Sequence, residues 1–139
     1  MTVEAFLDTN ILIYGASNRP SEKAKKRRAL ELISETEFGV SAQVLTEFYV
    51  NVTRKGPSPL SAEKALEWIE ELELQPCVAV DTALVKRGIE ISVRFKTSYW
   101  DGAIIAAAEH LGAPILYTED LNDGQVYGSV RVINPFAGL

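Results

Sequence analysis

Short apolar runs alternate along this chain with segments whose apolar residues recur at helical spacing. Val3 to Leu7 reads as a strand interrupted by Glu4, and Asn10 to Ser17 as a short helix directly behind it. After the loop Asn18-Arg19-Pro20, Ser21 is a suitable N-cap for a helix reaching Thr36, with Ala24, Leu30 and Ile33 inward. Phe38-Gly39-Val40 is a second strand. Ser41 caps the next helix, where Val44, Leu45, Phe48 and Val52 share a face, and Gly56-Pro57-Ser58-Pro59 is a break. Ser61 opens a helix with Ala62, Ala65, Leu66, Ile69 and Leu72 on one side. Pro76 to Val80 is a third strand, and Asp81 caps a helix carrying Leu84, Val85, Gly88, Ile91 and Val93. Ser98 begins a helix that runs to about Leu111 and ends at Gly112. Ala113 to Tyr117 is a fourth strand and Val130 to Ile133 a fifth.

Strands separated by helices need crossover connections. Right-handed crossovers give a parallel sheet covered on both faces, which suits short, continuously apolar strands. The expected fold class is α/β: a three-layer α/β/α sandwich with a mainly parallel sheet of four to five strands. One domain over residues 1–139 suits the length.

Composition narrows the chemistry. The chain is 47% hydrophobic and 24% charged, as in an ordinary globular domain. No apolar run approaches the ~20 residues of a membrane-spanning helix. Met1 to Asp8 lacks the basic start and apolar stretch of a signal peptide, so a cytoplasmic protein is expected. The only cysteine, Cys77, excludes an internal disulfide, and the only histidine, His110, excludes a His-rich metal site. Cys77 reads as a small apolar residue in a buried strand, and His110 as a helix C-terminal residue favouring the dipole. Carboxylates are then the available catalytic tools.

In open α/β sheets, sites gather beyond the carboxyl ends of the strands. Asp8 directly follows the first strand, and Asp120 closely follows the fourth. Asp101 lies in the first turn of a helix, and Glu47 about one and a half turns into another. Each has a plainer reading: a turn for Asp8, a capping box Ser98-x-x-Asp101, an exposed helix face for Glu47, and a polar loop for Asp120 and Asp123. Together, four acids near one sheet edge repel one another unless a cation joins them. Mg²⁺ or Mn²⁺ prefers such oxygen ligands and suits phosphodiester hydrolysis by an activated water.

These residues resemble the PIN-domain family of metal-dependent nucleases. Phe6-Leu7-Asp8-Thr9-Asn10-Ile11-Leu12 looks like that family's opening, and Leu45-Thr46-Glu47-Phe48 like its second acidic motif. Tyr99-Trp100-Asp101-Gly102-Ala103 looks like the third, and Leu116-Tyr117-Thr118-Glu119-Asp120 like the fourth. At this length the chain is most similar to VapC-type toxins of toxin-antitoxin modules. The resemblance implies catalytic and metal-ligating roles for Asp8, Glu47, Asp101 and Asp120, with Asp123 an alternative last ligand and Asn10 and Thr118 in support. It also implies an RNA substrate, a homodimer and a cognate antitoxin. Gly102 departs from the Ala common in related chains and is expected to loosen that turn slightly.

Other readings compete. A haloacid-dehalogenase-type phosphatase needs a second Asp where Asn10 stands. A response-regulator receiver needs a late Lys, and the last one here is Lys96. A nuclease without a toxin role and a non-catalytic binding module are further alternatives. Six basic residues and one acid between Arg19 and Arg28 carry +5 in a chain of net charge −5, so the rest carries −10. Lys25, Lys26, Arg27 and Arg28 could guide an RNA backbone toward the acids, extended by Arg54, Lys55, Arg94 and Lys96, or form a solvated face. Trp68, Trp100 and Tyr49 read as core or dimer contacts rather than base-stacking platforms.

Overall fold

The computed structural model describes residues 3–54 and 58–139; Lys55, Gly56 and Pro57, part of the expected break and basic track, lie outside the described residues. The sheet comprises β1 (Ala5–Leu7), β2 (Phe38–Ser41), β3 (Cys77–Val78), β4 (Ile115–Tyr117), β5 (Val126–Tyr127) and β6 (Val130–Ile133). Its order is β3-β2-β1-β4-β6-β5, parallel throughout except where β5 runs antiparallel to β6. The helices are α1 (Thr9–Ala16), α2 (Lys23–Glu35), α3 (Ala42–Val52), α4 (Ala62–Leu72), α5 (Thr82–Phe95) and α6 (Tyr99–His110). Helices α1 to α4 pack together through the α1–α2, α1–α3 and α3–α4 contacts. Helix α5 packs on α6, which lies against β2, β4 and β6. This is the expected three-layer α/β/α sandwich, PIN-like in form.

Burial on both faces explains why the strands are continuously apolar. Phe6 and Leu7 of β1, Val40 of β2 and Leu116 of β4 are fully buried, as strands covered on both faces require. Ser41, Ser61, Asp81 and Ser98 each accept a hydrogen bond from a backbone N–H in the first turn of the helix that follows, as expected of N-caps.

Several expectations change. Ser21 caps nothing: Pro20–Glu22 forms a 3-10 turn, tied to Ser17 through the Glu22 carboxylate, and α2 begins at Lys23. Ala24, Leu30, Ala62, Leu66 and Val93 are exposed, because α2 buries Ala29 and Leu32, α4 buries Ala65 and Leu72, and α5 buries Leu84, Gly88 and Ile91. Cys77 is exposed, since β3 is a two-residue edge strand. A sixth strand, β5, joins β6 through the two-residue turn Gly128-Ser129, with Gly128 at φ 62°.

Gly102 is a packing device rather than a loosened turn. A Cβ there would lie 2.5 Å from the Gly88 carbonyl oxygen and 2.9 Å from Ser92 Cβ, both on α5. A Cβ at Gly88 would in turn lie 3.1 Å from the Ala103 Cα, so the two glycines let α5 and α6 approach.

Candidate active site

Sheet register builds the site. Leu7 pairs with Tyr117 across β1 and β4, and the Asp8 N–H donates to the Tyr117 carbonyl at 3.1 Å. The next residues, Asp8 and Thr118, therefore emerge side by side where the chain turns from β1 into α1. The neighbours of β1 are β2 on one side and β4 on the other, so this is a topological switch of the kind that binds ligands in α/β sheets.

Asp8 is only 7% exposed and occupies the N-cap of α1. Its Oδ1 accepts from the Thr9 N–H at 2.7 Å, and its Oδ2 from the Thr118 hydroxyl at 2.8 Å. Burial pushes its pKa up to about 6; the two hydrogen bonds oppose that rise, while the charges of Asp120 and Glu47 add to it. Asn10 lies in the first turn of α1. Its Nδ2 donates to Thr118 Oγ1 at 3.1 Å and to Asp120 Oδ2 at 3.0 Å, and its buried Oδ1 has no protein partner. Thr118 also accepts from the Asp120 N–H at 3.1 Å. One network thus joins Asp8, Asn10, Thr118 and Asp120.

Glu47 reaches the same edge from α3. It accepts from the Thr9 hydroxyl at 3.4 Å and from Gln43 Nε2 at 3.2 Å. Gln43 in turn lies 3.5 Å from the Trp100 carbonyl at the start of α6. Sequence reasoning missed Thr9 and Gln43. The one-turn spacing of Gln43 and Glu47 was the available signal for the second.

Asp101 stands in the first turn of α6 and lines a depression of about 330 Å³ together with Asp120. Ser98 Oγ accepts from its N–H at 3.1 Å, but the reciprocal half of a capping box does not form among the described residues, so its carboxylate is not consumed as a cap. Asp123 is held elsewhere: its Oδ1 accepts from the Asn134 N–H at 2.8 Å. The acid joined to Asn10 is Asp120.

The basic run divides. Lys25 pairs with Glu119 at 3.0 Å, donates to the Tyr14 hydroxyl at 3.2 Å and lies over the Tyr14 and Phe136 rings. Tyr14 itself donates to Glu119 at 2.6 Å. This clamp, absent from the sequence reading, holds the residue between Thr118 and Asp120. Arg28 pairs with Glu31 and donates to the Pro135 carbonyl. Lys26 and Arg27 form no ion pair among the described residues. Of the aromatics, Trp68 packs on Phe48, whereas Trp100 is 63% exposed and Tyr49 is exposed.

Among the described residues, no three His, Cys, Asp or Glu side chains stand close enough to close on one ion. The donors nevertheless fit a hard divalent cation in kind. All are oxygens, Asp8 feels the charge of both Asp120 and Glu47, and the Asn10 carbonyl oxygen is buried without a partner. Such a cation keeps several waters and needs only one or two carboxylates from the protein.

No curated protein matches the chain. Solved structures do. A toxin-antitoxin complex from Klebsiella pneumoniae is 19% identical, covering 95% of this chain and 98% of that one, with a TM-score of 0.70. VapC20 of Mycobacterium tuberculosis, a sarcin-ricin loop cleaving toxin, is 20% identical over 91% of this chain and 98% of that one, at a TM-score of 0.68. DNA-bound VapBC from Salmonella typhimurium is 21% identical over 95% and 97%, at 0.62. At these identities the likeness speaks to the fold. No helix among the described residues is long and apolar enough to cross a membrane. Residues 5–126 match the family described as the PIN domain, and the chain belongs to that family.

Proposed function

We propose that this chain is a Mg²⁺- or Mn²⁺-dependent endoribonuclease acting in the cytoplasm. The observation that carries the reading is the buried, charge-coupled Asp8, held by Thr118 and Thr9 and facing Asp120 and Glu47 at the carboxyl edge of a PIN-family sheet. Asp8, Glu47, Asp101 and Asp120 would form the acidic edge that draws in the metal, with one or two of their carboxylates ligating an ion directly and water completing its shell. When bound, the ion supplies Lewis-acid activation of water and neutralises charge building on the phosphate. Thr118 and the Thr9 N–H fix the Asp8 carboxylate so that it cannot swing away. Asn10 keeps Asp120 beside it. Glu47 is steadied by Gln43 and Thr9. Lys26 and Arg27 remain available to meet an RNA backbone.

Cleavage of single-stranded RNA with Mg²⁺ or Mn²⁺, abolished by chelation and by Asp8→Asn, is the expected result. Metal-independent cleavage, or full activity in Asp8→Asn, would overturn the assignment.

The role we propose is that of a toxin neutralised by a cognate antitoxin. Its support is that the similar folds from K. pneumoniae and S. typhimurium were solved as toxin-antitoxin assemblies. A homodimer is the proposed form, supported by the exposed Val80 and Trp100, which line a surface depression together with Glu47. Expression of the wild type, but not of Asp8→Asn, should arrest bacterial growth. Normal growth with active enzyme would favour an RNA-processing role instead.

A further inference from the structure

Helix α5 ends at Lys96, whose backbone is left-handed at φ 55° and ψ 45°. Among the described residues it is the one non-glycine with positive φ. The N–H groups of Lys96 and Thr97 both bond back to the Ser92 carbonyl, so the turn into α6 depends on this conformation. A helix that ends this way usually carries Gly, because any Cβ crowds the neighbouring carbonyl. The chain thus places a lysine where its backbone favours glycine.

The two bonds to Ser92 close the turn but make no use of the lysine side chain. Lys96 is exposed and forms no ion pair or side-chain hydrogen bond among the described residues. A lysine kept at a strained position with its ammonium unpartnered points toward a ligand. Its position says which. Lys96 lines the depression of about 330 Å³ that holds Asp101 and Asp120, and it is the one cation there. It pairs with neither carboxylate. A phosphodiester approaching these acids is repelled, and a cation at the rim of the same depression offsets that repulsion. The N-terminus of α6, capped by Ser98 in the same depression, adds partial positive charge.

Resting on the nuclease reading above, we propose that Lys96 is a substrate-binding residue whose ammonium holds a backbone phosphate of the RNA beside Asp101 and Asp120. A point charge on a flexible stem suits a phosphate whose exact position shifts during cleavage. The strained turn sets the stem at the rim, and a glycine there would satisfy the backbone and lose the contact.

That opposition gives the test. The full-length protein carrying Asp8→Asn, which prevents cleavage, is titrated with a fluorescein-labelled, mixed-sequence single-stranded RNA across a salt series. Adding Lys96→Gly should raise Tm by about 1–4 °C through relief of the left-handed strain. It should weaken RNA binding about tenfold and flatten the salt slope by roughly 0.7, the share of one phosphate contact on a single strand. Lys96→Arg should keep binding within about threefold, because it keeps the charge. With Asp8 intact, cleavage by Lys96→Gly should suffer in KM more than in kcat. If Lys96→Gly binds with the parent's affinity and salt slope, the proposal is overturned while the nuclease reading stands. If the parent binds no RNA and the wild type cleaves none with Mn²⁺, the nuclease reading fails and takes this proposal with it.

Discussion

Thr118 Oγ1 donates to Asp8 Oδ2 at 2.8 Å across the seam between β1 and β4, joining two residues 110 positions apart. The bond follows from register, since each residue is the first beyond the paired Leu7 and Tyr117. It orients a buried carboxylate and offsets only part of the cost of burying its charge, because a hydroxyl supplies no opposite charge.

The pH dependence of stability follows from that imbalance. In the metal-free protein the pKa of Asp8 is raised from 3.8 to about 6. A raised native pKa means that Asp8 favours folding most below about pH 4, and that this contribution is lost as pH rises through 6. The shift corresponds to about 3 kcal/mol. Asp8→Asn should therefore stabilise the chelated protein by roughly 1–2 kcal/mol at pH 8, after the mismatch of its amide with one of two donors. The gain should shrink toward pH 4. Urea denaturation across pH checks this; a gain that grows on acidification would contradict it.

Divalent metal should replace that missing charge. Millimolar Mn²⁺ should raise the Tm of the wild type, with about 2.7 kcal/mol expected at a hundredfold excess over Kd. Asp8→Asn should lose most of the shift. An unchanged wild-type Tm would count against a metal site at this edge.

Asp101→Asn separates a ligand from a cap. The Asp101 N–H, not its carboxylate, makes the bond to Ser98. Stability should stay within about 0.5 kcal/mol. RNA cleavage should fall by at least a hundredfold, the usual order for losing a catalytic group. Retained activity would remove Asp101 from the site.

Gly102→Ala tests the helix crossing. The added methyl meets backbone and Cβ atoms of α5 at 2.5 and 2.9 Å, which no rotamer change relieves. A loss of roughly 1–3 kcal/mol is expected by thermal unfolding. A neutral or stabilising result would show that α5 and α6 can separate freely.

The basic helix should split by position. Lys25→Gln breaks the clamp on Glu119 and should cost on the order of 1 kcal/mol, limited by its partial exposure. Lys26→Gln with Arg27→Gln should leave stability unchanged, weaken RNA binding and flatten its salt dependence. Wild-type binding by the double variant across a salt series would make this face a merely solvated one.

Much of the fold was legible because its signals are local. Capping residues at Ser41, Ser61, Asp81 and Ser98 mark helix starts through hydrogen bonds within one turn. Buried parallel strands announce themselves as apolar runs. Strand β5 was missed because two residues carry little periodicity, although Gly128-Ser129 between Tyr127 and Val130 is a two-residue hairpin signal. The inward assignments of Leu30, Leu66 and Val93 failed because helical spacing defines a face but not which part of it meets a neighbour.

Legible in the order of residues alone were the alternation of strands and helices, the scarcity of His and Cys, and a set of acids placed near strand ends and helix starts. Each of these depends on residue type and short spacing. Tertiary structure decided which acids meet. Parallel pairing of β1 with β4 put Asp8 against Thr118, Asn10 drew in Asp120, and a backbone contact to Asn134 engaged Asp123 elsewhere. It also drew Lys25 into a clamp, left Lys96 free beside Asp101, and gave Gly102 its purpose. Contacts between residues roughly a hundred positions apart depend on sheet order and helix approach, which arise only when the whole core packs at once.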